Sequence, residues 1–67
     1  MLLTPMTDEE VSVLDDLLDL EEGLTRWEVN FIEGLDKHRR YALGRGDNPR
    51  ISEGQRKALA KIQKDRL

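Results

Sequence analysis

LTRWEVNFIEGLDKHRRYAL, residues 24–43, holds the only Trp, Phe, Tyr and His of a 67-residue chain. Its first six residues, Leu24-Thr25-Arg26-Trp27-Glu28-Val29, read as a complete helix start. Thr25 caps the free amides, Glu28 reaches back as the capping-box partner, and Leu24 with Val29 stand at the two positions of a hydrophobic staple. On a helical wheel Trp27, Phe31, Leu35 and Ala42 form an apolar stripe that Ile32 and Leu43 widen. The stretch therefore predicts a helix over 25–43 around which two other elements pack, with Trp27 in the core. Gly34 lies inside it, which points to a close helix crossing, and Gly44 is the expected stop.

Working outward, Met6-Thr7-Asp8-Glu9-Glu10-Val11 repeats the same start signal: Thr7 as cap, Glu10 as its partner, Met6 and Val11 as staple. A helix over 8–21 follows, stopped by Gly23. Its apolar arc of Val11, Val13, Leu14, Leu17, Leu18 and Leu20 covers about half the circumference, wide for a helix that buries one stripe. Either the N-terminal leucines and the second helix cover both flanks, or Val13 and Leu17 form an exposed edge that takes a protein partner or a second copy.

On the other side, Gly44-Arg45-Gly46-Asp47-Asn48-Pro49-Arg50 reads as a loop. Ser52-Glu53-Gly54-Gln55 then opens a third helix, over 52–65, with Gln in the place Glu holds in the first two boxes. Ala58, Leu59 and Ile62 form its apolar face, and Lys57, Lys61 and Lys64 share another. Alternating strand patterns, repeats and low-complexity tracts are lacking. The expected fold is all-α, one small three-helix domain over 1–67 with helices near 8–21, 25–43 and 52–65.

Composition narrows the function classes. There is no cysteine, so disulfides and thiolate metal sites are excluded, and one His builds no zinc site alone. The N-terminal residues lack the basic segment of a signal peptide, and no apolar run approaches the ~20 residues of a membrane span. A cytoplasmic protein without membrane contact is the expectation. Catalytic constellations are absent: no nucleophilic Cys, no glycine-rich phosphate loop after a strand, no His pair at helical spacing. His38 falls within the apolar sector and reads as a packed or partly exposed core residue. The sequence thus points to a non-enzymatic protein with no metal or cofactor.

Charge is the better lead. The first 25 residues carry eight acids and no Lys or Arg; the rest carries eleven Lys and Arg against six acids, so the two parts stand at −8 and +5. Such asymmetry suits a basic surface for one partner, an acidic surface for another, or attraction between the two parts. Lys37, Arg39, Arg40, Arg45 and Arg50 cluster around the end of the second helix and its loop, and Lys57, Lys61 and Lys64 add a stripe on the third. Phosphate backbones reward such clusters through counterion release, a weak and salt-sensitive contact in a chain this acidic. Tyr41 projects away from the main apolar stripe, where a base stacks on it.

The phrase Leu24-Thr25-x-Trp27-Glu28-x-x-Phe31-Ile32-x-x-Leu35, followed by Ile51-Ser52-Glu53-x-Gln55-x-x-x-Leu59-x-x-Ile62-x-x-Asp65, resembles a short helical module of phage replication and repair proteins. It is similar to segments at or near the end of phage DNA helicases of the UvsW type, and to a small separate companion protein. The resemblance covers about Leu24 to Asp65 and leaves the acidic first helix outside. It implies nucleic-acid transactions beside a helicase or nuclease, with Lys37, Arg39, Arg40, Arg45 and Arg50 facing phosphate. Two expectations follow: an accessory module of DNA replication, recombination or repair touching nucleic acid through its basic loop and third helix, or a protein-binding adaptor or inhibitor working through the acidic, leucine-rich first helix.

Overall fold

All three capping boxes form in the computed structural model, which describes residues 2–20 and 22–67. Thr7, Thr25 and Ser52 each accept from the amide three residues on, at 3.1, 3.1 and 3.2 Å, while Glu10, Glu28 and Gln55 accept from the cap amides at 2.8 Å. They open α1 (Asp8–Leu18), α2 (Arg26–Gly44) and α3 (Glu53–Arg66). The chain is a small, mostly α-helical domain. No helix among the described residues is long and apolar enough to cross a membrane.

The helix ends differ from expectation. α1 stops at Leu18, with Asp19 as its C-cap, short of the expected stop at Gly23. Glu21, its expected last residue, lies outside the described residues, as does Met1. α2 runs through Gly44 and closes one turn later. Gly46 (φ 78°) takes the left-handed position, with Gly46 N donating to Leu43 O (3.0 Å) and Asp47 N to Ala42 O (2.9 Å), the paired bonds of a Schellman ending.

A short sheet was not foreseen. β1 (Leu3–Pro5) pairs antiparallel with β2 (Arg50–Ser52), in the register Leu3↔Ser52, Thr4↔Ile51 and Pro5↔Arg50. Three-residue strands show no alternation to read, and an isolated pair is marginal in water. Here Arg56 of α3 holds it. Its Nη1 donates to Thr4 Oγ1 (2.6 Å), its Nη2 to the Pro5 carbonyl (3.0 Å) and its Nε to Glu10 (2.5 Å). One guanidinium thus gathers β1, α1 and α3.

The core consists of Val13, Leu14, Leu17, Ile32, Leu35, Ile51, Leu59 and Ile62, with Met6, Leu18, Leu20, Leu24 and Phe31 packed against it. α1 packs on both other helices, whereas α2 and α3 approach each other less closely. This explains the wide arc of α1: two helices cover it. Val13 and Leu17, expected at an exposed edge, are 6% and 0% exposed, so neither offers a partner-binding surface.

Trp27 is the larger correction. It is 61% exposed, and the buried face of α2 comprises Glu28, Ile32, Leu35, Asp36 and Ala42. The sequence reads Glu28 only as a cap partner and assigns Asp36 no place on the buried face. Each is instead buried with a cationic partner: Glu28 takes Arg66 at 2.9 Å, and Asp36 takes Arg39, with Arg40 at 3.0 Å. The buried face is therefore turned by about one residue, ~100°, from the aromatic stripe. Gly34 marks no crossing either, since nothing stands within 4 Å of where its Cβ would lie.

These ion pairs predict an acid limb in stability. Partial burial pushes the Glu10 carboxyl up, but the Arg56 guanidinium and the Thr7 amide outweigh it and hold it below the ordinary 4.5. The Thr25 amide, then Arg66, hold Glu28 below that value too. A carboxyl that is more acidic when folded stabilises the fold fully above its unfolded pKa and loses that contribution as pH falls through its folded value. The melting temperature should therefore hold steady near neutrality and decline below about pH 4.5. Arg56→Met should shrink that decline; an unchanged acid limb would place its origin elsewhere.

Candidate nucleic-acid interface

Turning the buried face of α2 away from its aromatic residues leaves Trp27, His38 and Tyr41 exposed in one line with half-buried Phe31. Trp27, Phe31, Gly34, His38, Tyr41 and Arg45 recur every three or four residues, within about 40° of a common direction at ~100° per residue. Eighteen residues at about 1.5 Å each make a stripe ~27 Å long. Trp27 and Phe31 stack at its start, their ring centroids 5.4 Å apart and their planes 6° from parallel. At its end the Arg45 guanidinium lies over the Tyr41 ring, 5.5 Å from the centroid, and donates to the Tyr41 hydroxyl at 3.3 Å. Tyr41 is 63% exposed, and His38, expected in the apolar sector, is exposed as well.

The stripe borders three hollows, of which the first two adjoin. One of about 450 Å³ is bounded by His38, Tyr41, Arg45, Asn48, Arg50 and Leu3. The next, about 440 Å³, shares His38, Arg50 and Leu3 and extends over Gly34 to Phe31, Asn30 and Gln55. A third, about 250 Å³, lies between Trp27 and Lys61, Ala58 and Asp65 of α3. No residue of α1 lines any of the three. The acidic helix therefore borders none of these hollows, although Asp47 lines the first and Glu28 and Asp65 line the third.

The basic residues singled out by sequence divide into two groups. Arg45 and Arg50 line the groove, and Lys61 borders it beside Trp27. Lys37 and Lys64 are exposed. Arg40 is exposed while touching Asp36, and Lys57 makes a solvent-exposed pair with Glu53 at 3.6 Å; such pairs hold little energy and yield readily to a phosphate. Arg39 is different. Its side chain is only 13% exposed and bridges Asp15 of α1 (2.5 Å) and Asp36 of its own helix. Burial alone would lower its pKa, but these two carboxylates raise it above the ordinary arginine value. Arg39 therefore joins α1 to α2 and is no phosphate ligand.

Arg39→Ala should destabilise the domain by about 1–3 kcal/mol, the cost of leaving a buried charged group with fewer partners. Urea denaturation measures this. An unchanged midpoint would show that Asp36 is satisfied by Arg40 alone.

Asn30 and Gln55 are groove residues that sequence reading did not single out as site residues. One available signal was the collinearity of all four rings with Gly34 and Arg45, a line that is poor as a core stripe because it contains a glycine and an arginine. Among the described residues no group of three or more His, Asp or Glu is placed to hold a metal ion. Comparison with protein-family models, curated proteins and solved structures returns no match to this chain.

Proposed function

We propose that this chain is a non-enzymatic accessory module of DNA replication, recombination or repair that binds single-stranded nucleic acid along the α2 groove. The observation that carries the reading is the line of exposed Trp27, His38 and Tyr41 with half-buried Phe31, flanked by Arg45, Arg50 and Lys61. Aromatic faces beside a track of cations are the means by which proteins hold single strands without strong sequence preference. Bases in a duplex keep their faces stacked on one another, so this arrangement favours unpaired strands. Resemblance to the helical segments of phage UvsW-type helicases supports the same assignment, with a helicase as the neighbouring protein. The alternative, an adaptor or inhibitor acting through the first helix, no longer has Val13 and Leu17 as a contact edge, because both are buried, and rests on the exposed acids of α1.

The test is a titration with short oligo(dT), following the fluorescence of Trp27, the only tryptophan. Quenching should accompany binding, with a Kd of about micromolar or weaker, since the net charge of −3 opposes phosphate. Raising salt should weaken binding with a log–log slope of about −0.7 per neutralised phosphate. Arg45→Ala with Arg50→Ala should flatten that slope while the melting temperature holds. Absence of binding to single strands, duplexes and forks at low salt would refute the assignment.

A further inference from the structure

We propose that the hollow over Gly34 is a pocket for one unstacked nucleobase, with the side-chain amide of Gln55 as its hydrogen-bond donor. The proposal rests on the nucleic-acid reading above and adds a specific recognition site to it.

Gly34 has no structural reason to be glycine. It lies inside a 19-residue helix, where glycine is among the least favourable residues. Its backbone takes no positive φ, and no atom stands within 4 Å of a Cβ placed there. What its missing side chain does is leave the helix surface bare between Phe31, one turn before, and His38, one turn after. Those two rings and Gly34 line the same hollow. Almost any other residue would fill it. A flat ring laid on the bare backbone between two aromatic side chains is the geometry in which an unstacked base is held.

Gln55 supplies the second, independent observation. A capping box needs only an acceptor at this position. Glu10 and Glu28 fill it with a carboxylate oxygen at 2.8 Å, and Gln55 fills it with Oε1 at the same distance. A carboxylate at the start of a helix would also suit the dipole better. The amide adds one thing that Glu lacks, the Nε2 donor, which the cap leaves unused. Because Oε1 is committed to Ser52 N, the orientation of the amide is set, and Gln55 lines the hollow over Gly34. An uncharged N–H₂ donor matches the carbonyl and ring-nitrogen acceptors on base edges. Arg50 at the rim supplies a cation for the adjoining phosphate.

Two substitutions separate this pocket from general binding. Gln55→Glu keeps the cap, as the other two boxes demonstrate, and removes the donor. Gly34→Leu fills the hollow with a good helix former and no change in charge. Each variant and the wild type are titrated with labelled oligo(dT) and with an abasic oligomer of the same length, alongside thermal melts. The wild type should bind oligo(dT) at least about a hundredfold more tightly than the abasic strand, which loses the stack on Trp27 together with the pocket. Both variants should narrow that preference by about tenfold, with Gly34→Leu melting no lower than wild type. Gly34→Ala, which intrudes less, should fall between. Should the wild type bind both strands equally, or should the variants keep the preference, the pocket is refuted while strand binding stands. Binding of neither strand would overturn both readings.

Discussion

Leu17→Ala is expected to abolish the folded state or bring it to the edge of stability. The side chain is fully buried, in a cluster with Leu14, Ile32 and Leu35, on the helix that packs most closely on both others. Truncating a buried leucine costs about 2–5 kcal/mol through lost transfer energy and the cavity left behind. A 67-residue domain has a total stability of only about 3–10 kcal/mol at ordinary values per residue. Far-UV circular dichroism during urea titration reads the effect directly. A variant with the wild-type midpoint would mean that α1 docks by another face and that Leu17 reaches solvent. Self-association through this edge is not expected, because no edge is left to associate.

Trp27→Ala should do the reverse, leaving the fold and removing the function. A tryptophan that is 61% exposed contributes little burial, and the main loss is its stack on Phe31, worth about 0.5–1.5 kcal/mol. A single cooperative melt should remain. Affinity for oligo(dT) should fall about tenfold to a hundredfold, since base–aromatic stacking is worth about 1–3 kcal/mol per base. Polarisation of a labelled strand reads this, in a variant that no longer carries the intrinsic fluorophore. If Trp27→Ala unfolds instead, the ring belongs to the core, as the helical wheel suggests. If it folds and binds undiminished, the stripe is not the working surface.

The two expectations exchange the roles that sequence assigned to these residues, and the exchange shows where local reading ends. The three helix starts depend on contacts between residues three apart, and Thr7 with Glu10, Thr25 with Glu28 and Ser52 with Gln55 were all readable from spacing. The helical class and the three helices followed from them. So did the composition of most of the core, because Leu14, Leu35, Leu59 and Ile62 lie on apolar faces whichever neighbour covers them.

What each helix turns toward its neighbours was decided by partners far along the chain. Glu28 is buried because Arg66 reaches it from α3, and Asp36 because Arg39 neutralises it while holding Asp15 of α1. Reading the buried face from apolar residues alone leaves those two acids out and centres it nearer the aromatic residues, with Trp27 inward. β1 meets β2 only after a chain reversal of more than forty residues, and the strands are too short to announce themselves. The groove has the same origin. Burial of Ile32 and Leu35 together with the paired Glu28 and Asp36 fixes the rotation of α2 that leaves Trp27 and Tyr41 exposed, and α1 docks where it lines none of the hollows beside them. Short-range hydrogen bonding specifies where a helix begins; only burial shared among distant residues specifies which face of it meets water.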